Sequence, residues 1–179
     1  MKTLTFANFL FAFRLKVFSV LLKACIIPIL SFYFLQVYDP DSGNYICRNK
    51  YFGRSLNQEN FIDTIEDFFK SCNDSMDEER FIRLDIIAKV VTTVEELMTV
   101  LNKLETYRFY TASLLVTYDG DYSGQNPAQY DIRMIDFAHS THKGLRDQVI
   151  HEGPDLGFIQ GLRSLVRILE QIMQKHHQN

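Results

Sequence analysis

The sequence predicts an α+β domain in which antiparallel strands pack against amphipathic helices. Two pairs of strand-like segments are each joined by a polar loop, which is the pattern of a β-hairpin. Three longer segments instead repeat their apolar residues with the period of an α-helix. The 179 residues are 46% hydrophobic and 23% charged, which suits a single domain with a moderate core.

The first hairpin signal lies in the amino-terminal third of the chain. Gln36–Tyr38 and Asn44–Cys47 are strand-like, and they flank Asp39–Gly43, which contains the Asp, Pro, Ser and Gly residues typical of a turn. Lys50–Arg54 follows and is interpreted as a connector. Residues 55–57 then offer caps for a helix.

Three helices and a second hairpin are predicted in the remainder. Apolar stripes predict the helices at residues 58–72, 80–106 and about 154–175. Residues 108–118 are rich in β-branched and aromatic side chains, and residues 130–135 alternate between apolar and polar. Because one polar loop joins these two strands, we expect them to pair antiparallel.

The first 35 residues are interpreted as an apolar segment of uncertain status, and residues 36–179 as the domain. Residues 17–35 contain one charged residue, Lys23, and about 20 apolar residues could span a bilayer. Lys23 and Pro28 both weaken that interpretation. Three accounts stay open: a membrane anchor, a buried amphipathic helix, and a truncated or misjoined chain. Membrane anchoring by residues 17–35 is not favoured among them.

Charge and cysteine content narrow the function classes. The formal net charge of −3 argues against a general nucleic-acid binder, which usually carries a basic excess, so no nucleic-acid partner is expected. The three cysteines, Cys25, Cys47 and Cys72, form no CxxC pair. Reduced thiols in a cytoplasmic or nuclear protein are therefore the simpler interpretation.

The segment that carries chemistry is Ile135-Asp136-Phe137, directly after the second strand of a hairpin. Mg²⁺ prefers oxygen ligands, commonly one or two carboxylates together with substrate phosphates. A carboxylate at this place is what phosphoryl transfer from ATP requires, since the metal neutralises charge on the transferred phosphate. On its own, an Asp-Phe pair after a strand more often marks a turn carboxylate than a metal ligand.

A longer ordered set of motifs resembles the inositol polyphosphate kinase family. Its parts are the Gln36–Tyr38 hairpin, the segments YFGRSL and YRFY, the SLL tract at Ser113, the string RMIDFAH that includes Asp136, and HEGPD leading into GFIQGL. The resemblance covers roughly Gln36 to Ile172 and is nearest to the inositol hexakisphosphate kinases. It implies the carboxy-terminal lobe of a kinase-like fold, with antiparallel strands packed against helices.

The resemblance also implies roles for four residues. Asp136 would hold Mg²⁺ and, through it, the co-substrate ATP. Lys50, Arg54 and His139 would contact the inositol polyphosphate, for which arginine offers bidentate geometry. Two alternatives stay open, since His139 fits equally well as a capping histidine, and Arg54 as a residue that holds the connector by a salt bridge.

The PxxxDxKxG segment of the family does not occur in these 179 residues. In the family it supplies the catalytic aspartate and lysine, so no catalytic residue is assigned here. We therefore expect ATP-dependent phosphoryl transfer to an inositol polyphosphate from the family, but a truncated form with weak or no activity. The alternatives are a non-catalytic inositol-phosphate-binding module or pseudokinase, soluble or membrane-anchored, and a generic α+β domain.

Overall fold

The residues that the structure describes form one larger and one very small sheet together with four helices. The computed structural model describes residues 10–17, 30–39, 42–70, 81–120, 129–145 and 150–177. Within them the strands are β1 Leu10–Val17, β2 Leu30–Asp39, β3 Asn44–Asn49, β4 Arg108–Phe109, β5 Ser113–Asp119, β6 Tyr130–Ile135 and β7 Ser140–Thr141. The helices are α1 Lys50–Ser55, α2 Gln58–Phe68, α3 Leu84–Leu101 and α4 Leu156–His177.

The main sheet is antiparallel throughout, with the strand order β3-β2-β1-β5-β6. Both predicted hairpins are confirmed as neighbouring pairs, β2 with β3 and β5 with β6. The second sheet consists of β4 and β7 alone. The mixture of helices and antiparallel strands confirms the predicted α+β class.

The core lies on one face of the main sheet, as the alternation along β5 shows. Leu114, Val116 and Tyr118 are fully buried, whereas Leu115 and Thr117 between them are only partly so. Their buried face packs with the apolar sides of the helices, including eight core residues of α4. The Tyr118 hydroxyl donates to a backbone carbonyl at the end of α2 over 2.6 Å, so this buried polar group is satisfied.

The helix predicted over residues 80–106 is observed as α3, which is shorter than predicted at both ends. Arg83 precedes the first turn of α3 and has a non-helical backbone (φ −75°, ψ 69°). The helix ends at Leu101. Arg83 is 1% exposed, and its guanidinium donates to both carboxylate oxygens of Asp85 at 2.9 Å. Burial opposes ionisation of Asp85, but the hydrogen bonds and charge of Arg83 outweigh it and lower the pKa of that carboxyl.

Two further boundaries differ from the prediction. The strand expected over residues 108–118 is two strands, because Tyr110 and the next residue form a turn that moves β4 into the smaller sheet. The helix expected over residues 58–72 ends at Phe68, and Phe69 leaves it to stack on Tyr118 with ring centroids 5.8 Å apart. Residues 71–72 lie outside the described ranges.

The predicted connector at residues 50–54 is the short helix α1. Asn49 caps it, since its side chain accepts hydrogen bonds from the N–H groups of Tyr51 and Phe52. Gly53 presses against β2 so closely that a Cβ there would lie 2.0 Å from the carbonyl oxygen of Phe32. Only glycine fits this approach, which fixes α1 against the sheet.

The apolar amino-terminal stretch contributes strands where it is described. β1 is the central strand of the main sheet, and Leu30, Phe32 and Leu35 of β2 are buried in the core. β2 also crosses the expected boundary between residues 35 and 36, so described strands on either side of that boundary share one sheet. Residues 18–29, which carry much of the expected anchor or helix, lie outside the described ranges. No helix among the described residues has the length and hydropathy needed to cross a bilayer.

Candidate functional site

Asp136 is the first residue after β6, which is an edge strand of the main sheet. Its backbone is left-handed, with φ +65°, and its side chain is exposed. Few non-glycine residues adopt this conformation, although aspartate is among those that tolerate it best. The observation matters because residues in sparsely populated backbone regions cluster at ligand and active sites. The sequence placed Asp136 at a strand end but gave no sign of this conformation.

A tight turn fixes Asp136 against the rest of the domain. The N–H of Ser140 donates to the carbonyl of Phe137 over 2.9 Å, and Ser140 then begins β7. The Phe137 ring, half exposed, meets the buried Phe109 ring edge-on at 6.2 Å. Phe109 in turn packs on Phe158 of α4 at 5.6 Å. The turn is therefore held by the core through an aromatic contact, which limits its freedom.

The loop after β7 is anchored in a way that the sequence did not reveal. The His142 ring stacks on Tyr107 with centroids 4.9 Å apart, and its Nδ1 lies 2.9 Å from the carbonyl oxygen of Lys143. The Lys143 N–H donates to the hydroxyl of Thr106, which is itself left-handed with φ +69°. The exposed Lys143 ammonium is thus carried by a fixed backbone, seven residues after Asp136. The polar sequence of residues 141–153 gives no sign of this anchoring.

The predicted substrate residues fall into two groups. His139 is exposed and lies in the same turn as Asp136. Lys50 and Arg54 lie four residues apart on α1, which puts them on one side of that helix. The Lys50 ammonium stands 5.4 Å from the centroid of the Tyr51 ring. Arg54 is exposed and makes no ion pair with any described residue, so the salt-bridge alternative for it finds no partner there.

The register of the main sheet relates these two groups. β3 and β6 run in the same direction, so the chain leaves both at the same end of the sheet. One row of paired positions crosses it through Asn49, Phe34, Arg14, Leu115 and Arg133. Helix α1 packs against β2, which is three interstrand spacings, or roughly 14 Å, from β6. Lys50 and Arg54 therefore share a sheet end with Asp136 and His139 without contacting them.

A cleft of about 240 Å³ lies at the start of α4, and the hydrogen-bond donors in its wall already bond to other groups of the protein. The Arg108 guanidinium, in its wall, donates to the backbone carbonyls of Tyr107, Glu152 and Gly153. The Tyr110 hydroxyl lies 2.8 Å from Nε2 of His151. These bonds hold the loop before α4, so we interpret the cleft as part of the scaffold.

The residues present fit a metal that arrives with its own phosphate ligands. No group of three or more His, Cys, Asp or Glu side chains that could hold a metal ion occurs among the described residues. A zinc or calcium site built from protein ligands alone is therefore not found in that part of the chain. One exposed carboxylate at a fixed turn instead suits Mg²⁺, which keeps water and phosphate oxygens as most of its ligands.

Comparison with known proteins gives consistent results. The sequence model described as "Inositol polyphosphate kinase" matches residues 32–170. Inositol hexakisphosphate kinase 1 of Mus musculus is 33% identical over 177 residues, which cover 79% of this chain and 39% of the relative. Inositol hexakisphosphate kinase 2 of Homo sapiens is 33% identical over 172 residues, with the same coverage of 79% and 39%. The chain thus spans about two fifths of the length of the curated relatives it matches.

Solved structures share the fold. One of them is an inositol phosphate multikinase from S. cerevisiae in complex with ADP and Mn²⁺, with a TM-score of 0.71 and 18% identity. The match covers 95% of this chain and 80% of that chain. A second, described as a study of inositol phosphate multikinase, has a TM-score of 0.67 at 18% identity.

Proposed function

The chain belongs to the inositol polyphosphate kinase family, and on that premise we propose that it forms the metal-binding side of a site for phosphoryl transfer. ATP is the donor, and an inositol polyphosphate, with inositol hexakisphosphate as the first to test, is the acceptor. The left-handed Asp136 at the end of β6 is the observation that carries the proposal. Asp136 carries a carboxylate beside a core-anchored turn, and residues of unusual backbone conformation are enriched at ligand and active sites.

Asp136 would hold Mg²⁺, which would neutralise the charge that develops on the transferred phosphate. The chain itself contributes position and fixed charge. The contact of Phe137 with Phe109 holds the turn, so the carboxylate needs little reorganisation when the nucleotide arrives. The solved relative was crystallised with ADP and Mn²⁺, which supports a nucleotide and a divalent cation as ligands of this site.

His139, Lys50 and Arg54 are proposed to bind the acceptor. His139 shares the turn with Asp136, while the two α1 cations flank the same end of the sheet from the other side. A polyphosphate needs several cations, and the interval of roughly 14 Å between α1 and β6 leaves room for it beside the nucleotide phosphates. The exposed Arg54 is suited to a phosphate, since no described residue occupies its guanidinium.

A binding module without catalysis is the second candidate. One observation favours it: these 179 residues contain no Asp-x-Lys-x-Gly segment, which the family uses for its catalytic aspartate and lysine. Positioning and electrostatic stabilisation provide most of the rate enhancement in phosphoryl transfer. A chain without that aspartate and lysine therefore loses most of the rate. We accordingly propose that the 179-residue protein alone is a weak kinase or none.

Calorimetric titration of the purified protein tests both candidates. We expect Mg·ADP to bind the wild type. Asp136→Asn should weaken that binding about a hundredfold or more, because loss of a residue that only hydrogen-bonds a metal ligand already costs about 10- to 100-fold in metal affinity. Asparagine tolerates the left-handed backbone, so the variant removes charge and little else. Lys50→Gln, Arg54→Gln and His139→Gln should each weaken inositol hexakisphosphate binding about tenfold.

Arg167→Gln is the matched control, because Arg167 is an exposed cation on α4 that lies outside the proposed site. It should leave both affinities unchanged. Binding of inositol hexakisphosphate in a protein that ignores Mg·ADP would favour the module. Equal Mg·ADP affinity in the wild type and Asp136→Asn would refute the metal-site assignment. In a turnover assay, phosphoryl transfer that disappears with Asp136→Asn would instead refute the proposal of a weak or inactive chain.

A further inference from the structure

Ser140 carries a buried hydroxyl that has no hydrogen-bond partner in the described structure. Among the side-chain nitrogen and oxygen atoms of the described residues, Ser140 Oγ is the one that is buried without a hydrogen-bond partner. Buried hydroxyls are nearly always paired, with protein or with ordered water, because an unpaired one costs free energy. An exception in a native fold therefore calls for a physical reason.

The backbone of Ser140 is fixed, so the hydroxyl has little freedom besides rotation of the side chain. Its N–H donates to the carbonyl of Phe137 over 2.9 Å, and the residue pairs with Phe109 in the smaller sheet. Phe109 is buried and linked to α4 through Phe158. The unpaired oxygen is therefore held in place by the core, and it has not been left over by a loose loop.

Two departures from ordinary stability rules meet within this one turn. Asp136 takes a left-handed backbone four residues before the unpaired hydroxyl of Ser140. The turn hydrogen bond between Ser140 and Phe137 closes the chain between them. Among the described residues, Ser140 Oγ is the buried side-chain N or O atom without a hydrogen-bond partner, and such departures are expected where a ligand is to be bound.

We propose that Ser140 is a positioning residue for Asp136. The Ser140 hydroxyl would donate a hydrogen bond to the Asp136 carboxylate and so fix the orientation in which that carboxylate would hold a divalent cation with nucleotide phosphates. Carboxylates that ligate metals are themselves hydrogen-bonded, and these partners fix their orientation. In this arrangement the carboxylate provides the acceptor that the Ser140 hydroxyl lacks among the described residues. This inference rests on the proposed function, since it requires that Asp136 holds a cation.

Ser140→Ala separates this role from a purely structural one. The substitution removes an unpaired buried hydroxyl, so the thermal midpoint of the ligand-free protein should stay the same or rise. In calorimetric titrations with Mg²⁺ and ADP, however, the cation affinity should fall about 10- to 100-fold. Ser140→Thr retains the hydroxyl and should keep the affinity within a few-fold of the wild type. Thr141→Ala, at the next position of β7, should change neither quantity.

Each other outcome counts against the proposal in a distinguishable way. A lowered thermal midpoint of ligand-free Ser140→Ala with unchanged Mg·ADP affinity would show that the hydroxyl serves the fold. Equal affinities in the wild type and Ser140→Ala would overturn the positioning role while leaving Asp136 as a ligand. A wild-type protein that binds no Mg·ADP would overturn the proposed function, and the role of Ser140 with it.

Discussion

Two aspartates are linked to Phe109, one directly and one through its neighbour Phe137, and they are used in opposite ways. Asp155 is 3% exposed, and its carboxylate accepts hydrogen bonds from the N–H groups of Phe109, over 2.7 Å, and Phe158, over 3.0 Å. Asp136 is exposed, left-handed and followed by a turn with an unpaired hydroxyl. The first carboxylate ties β4 to the start of α4. The second leaves the local stability rules unmet, which is the pattern expected of a residue kept for a ligand.

Loss of the Asp155 carboxylate should produce the largest stability change. Asp155→Ala leaves two buried N–H groups without an acceptor and removes the cap of α4, which together should cost about 2–4 kcal/mol of unfolding free energy. Asp155→Asn keeps one acceptor oxygen and should cost about 1 kcal/mol. Urea denaturation followed by circular dichroism measures both. Equal stability of the alanine variant and the wild type would contradict the structural role given to Asp155.

At Asp136 we expect a smaller effect on stability, in which glycine is favoured over alanine. An alanine in the left-handed region is strained and a glycine is not, so Asp136→Gly should be more stable than Asp136→Ala by about 1 kcal/mol. Ala138, two residues later in the same turn, is the control, since it is not among the described residues with positive φ. There the glycine variant should be the less stable one. The same ranking at both positions in urea denaturation would remove the argument from backbone conformation.

The sequence predicted the parts of the fold that rest on local pattern. Both hairpins and the α+β class are confirmed, because strand alternation and turn chemistry are encoded within a few residues. The family resemblance read from ordered motifs is likewise confirmed. Helix ends were less predictable, since Arg83, directly before α3, is held by contacts that include the carbonyl of Asp119, far along the chain.

The candidate site was predictable in its chemistry and hidden in its geometry. Residue type and neighbours identified Asp136 and His139, whose roles remain predictions. No sequence pattern signals a positive φ at a non-glycine residue or an unpaired Ser140 hydroxyl, because both depend on how β7 pairs with β4. The same tertiary pairing brought Tyr107 to His142 and so fixed the loop of Lys143.

Glu66 is a third carboxylate, neither buried like Asp155 nor exposed like Asp136. Its substitution should change stability the least. Burial opposes its ionisation, but hydrogen bonds and charge from Lys175 and His176 of α4 outweigh this and lower the pKa of the Glu66 carboxyl. A carboxyl whose pKa is lowered in the folded state stabilises the fold above its unfolded pKa, about 4.3, and loses that contribution as pH falls through the folded pKa. Glu66→Gln should therefore melt about 1–3 °C below the wild type at pH 7.

The difference in melting temperature between the wild type and Glu66→Gln should shrink as the pH falls below about 4, where the carboxylate becomes protonated and resembles the amide. Asp67→Asn is the control, because Asp67 pairs with Lys70 on the exposed side of α2 and both side chains are largely accessible. It should change the melting temperature less at pH 7. A gap for Glu66→Gln that persists unchanged at pH 3 would mean that packing between α2 and α4, and not the charge of Glu66, is responsible. Glu66 would then belong with Asp155 as a carboxylate whose shape serves the fold, and Asp136 would remain the contrasting case.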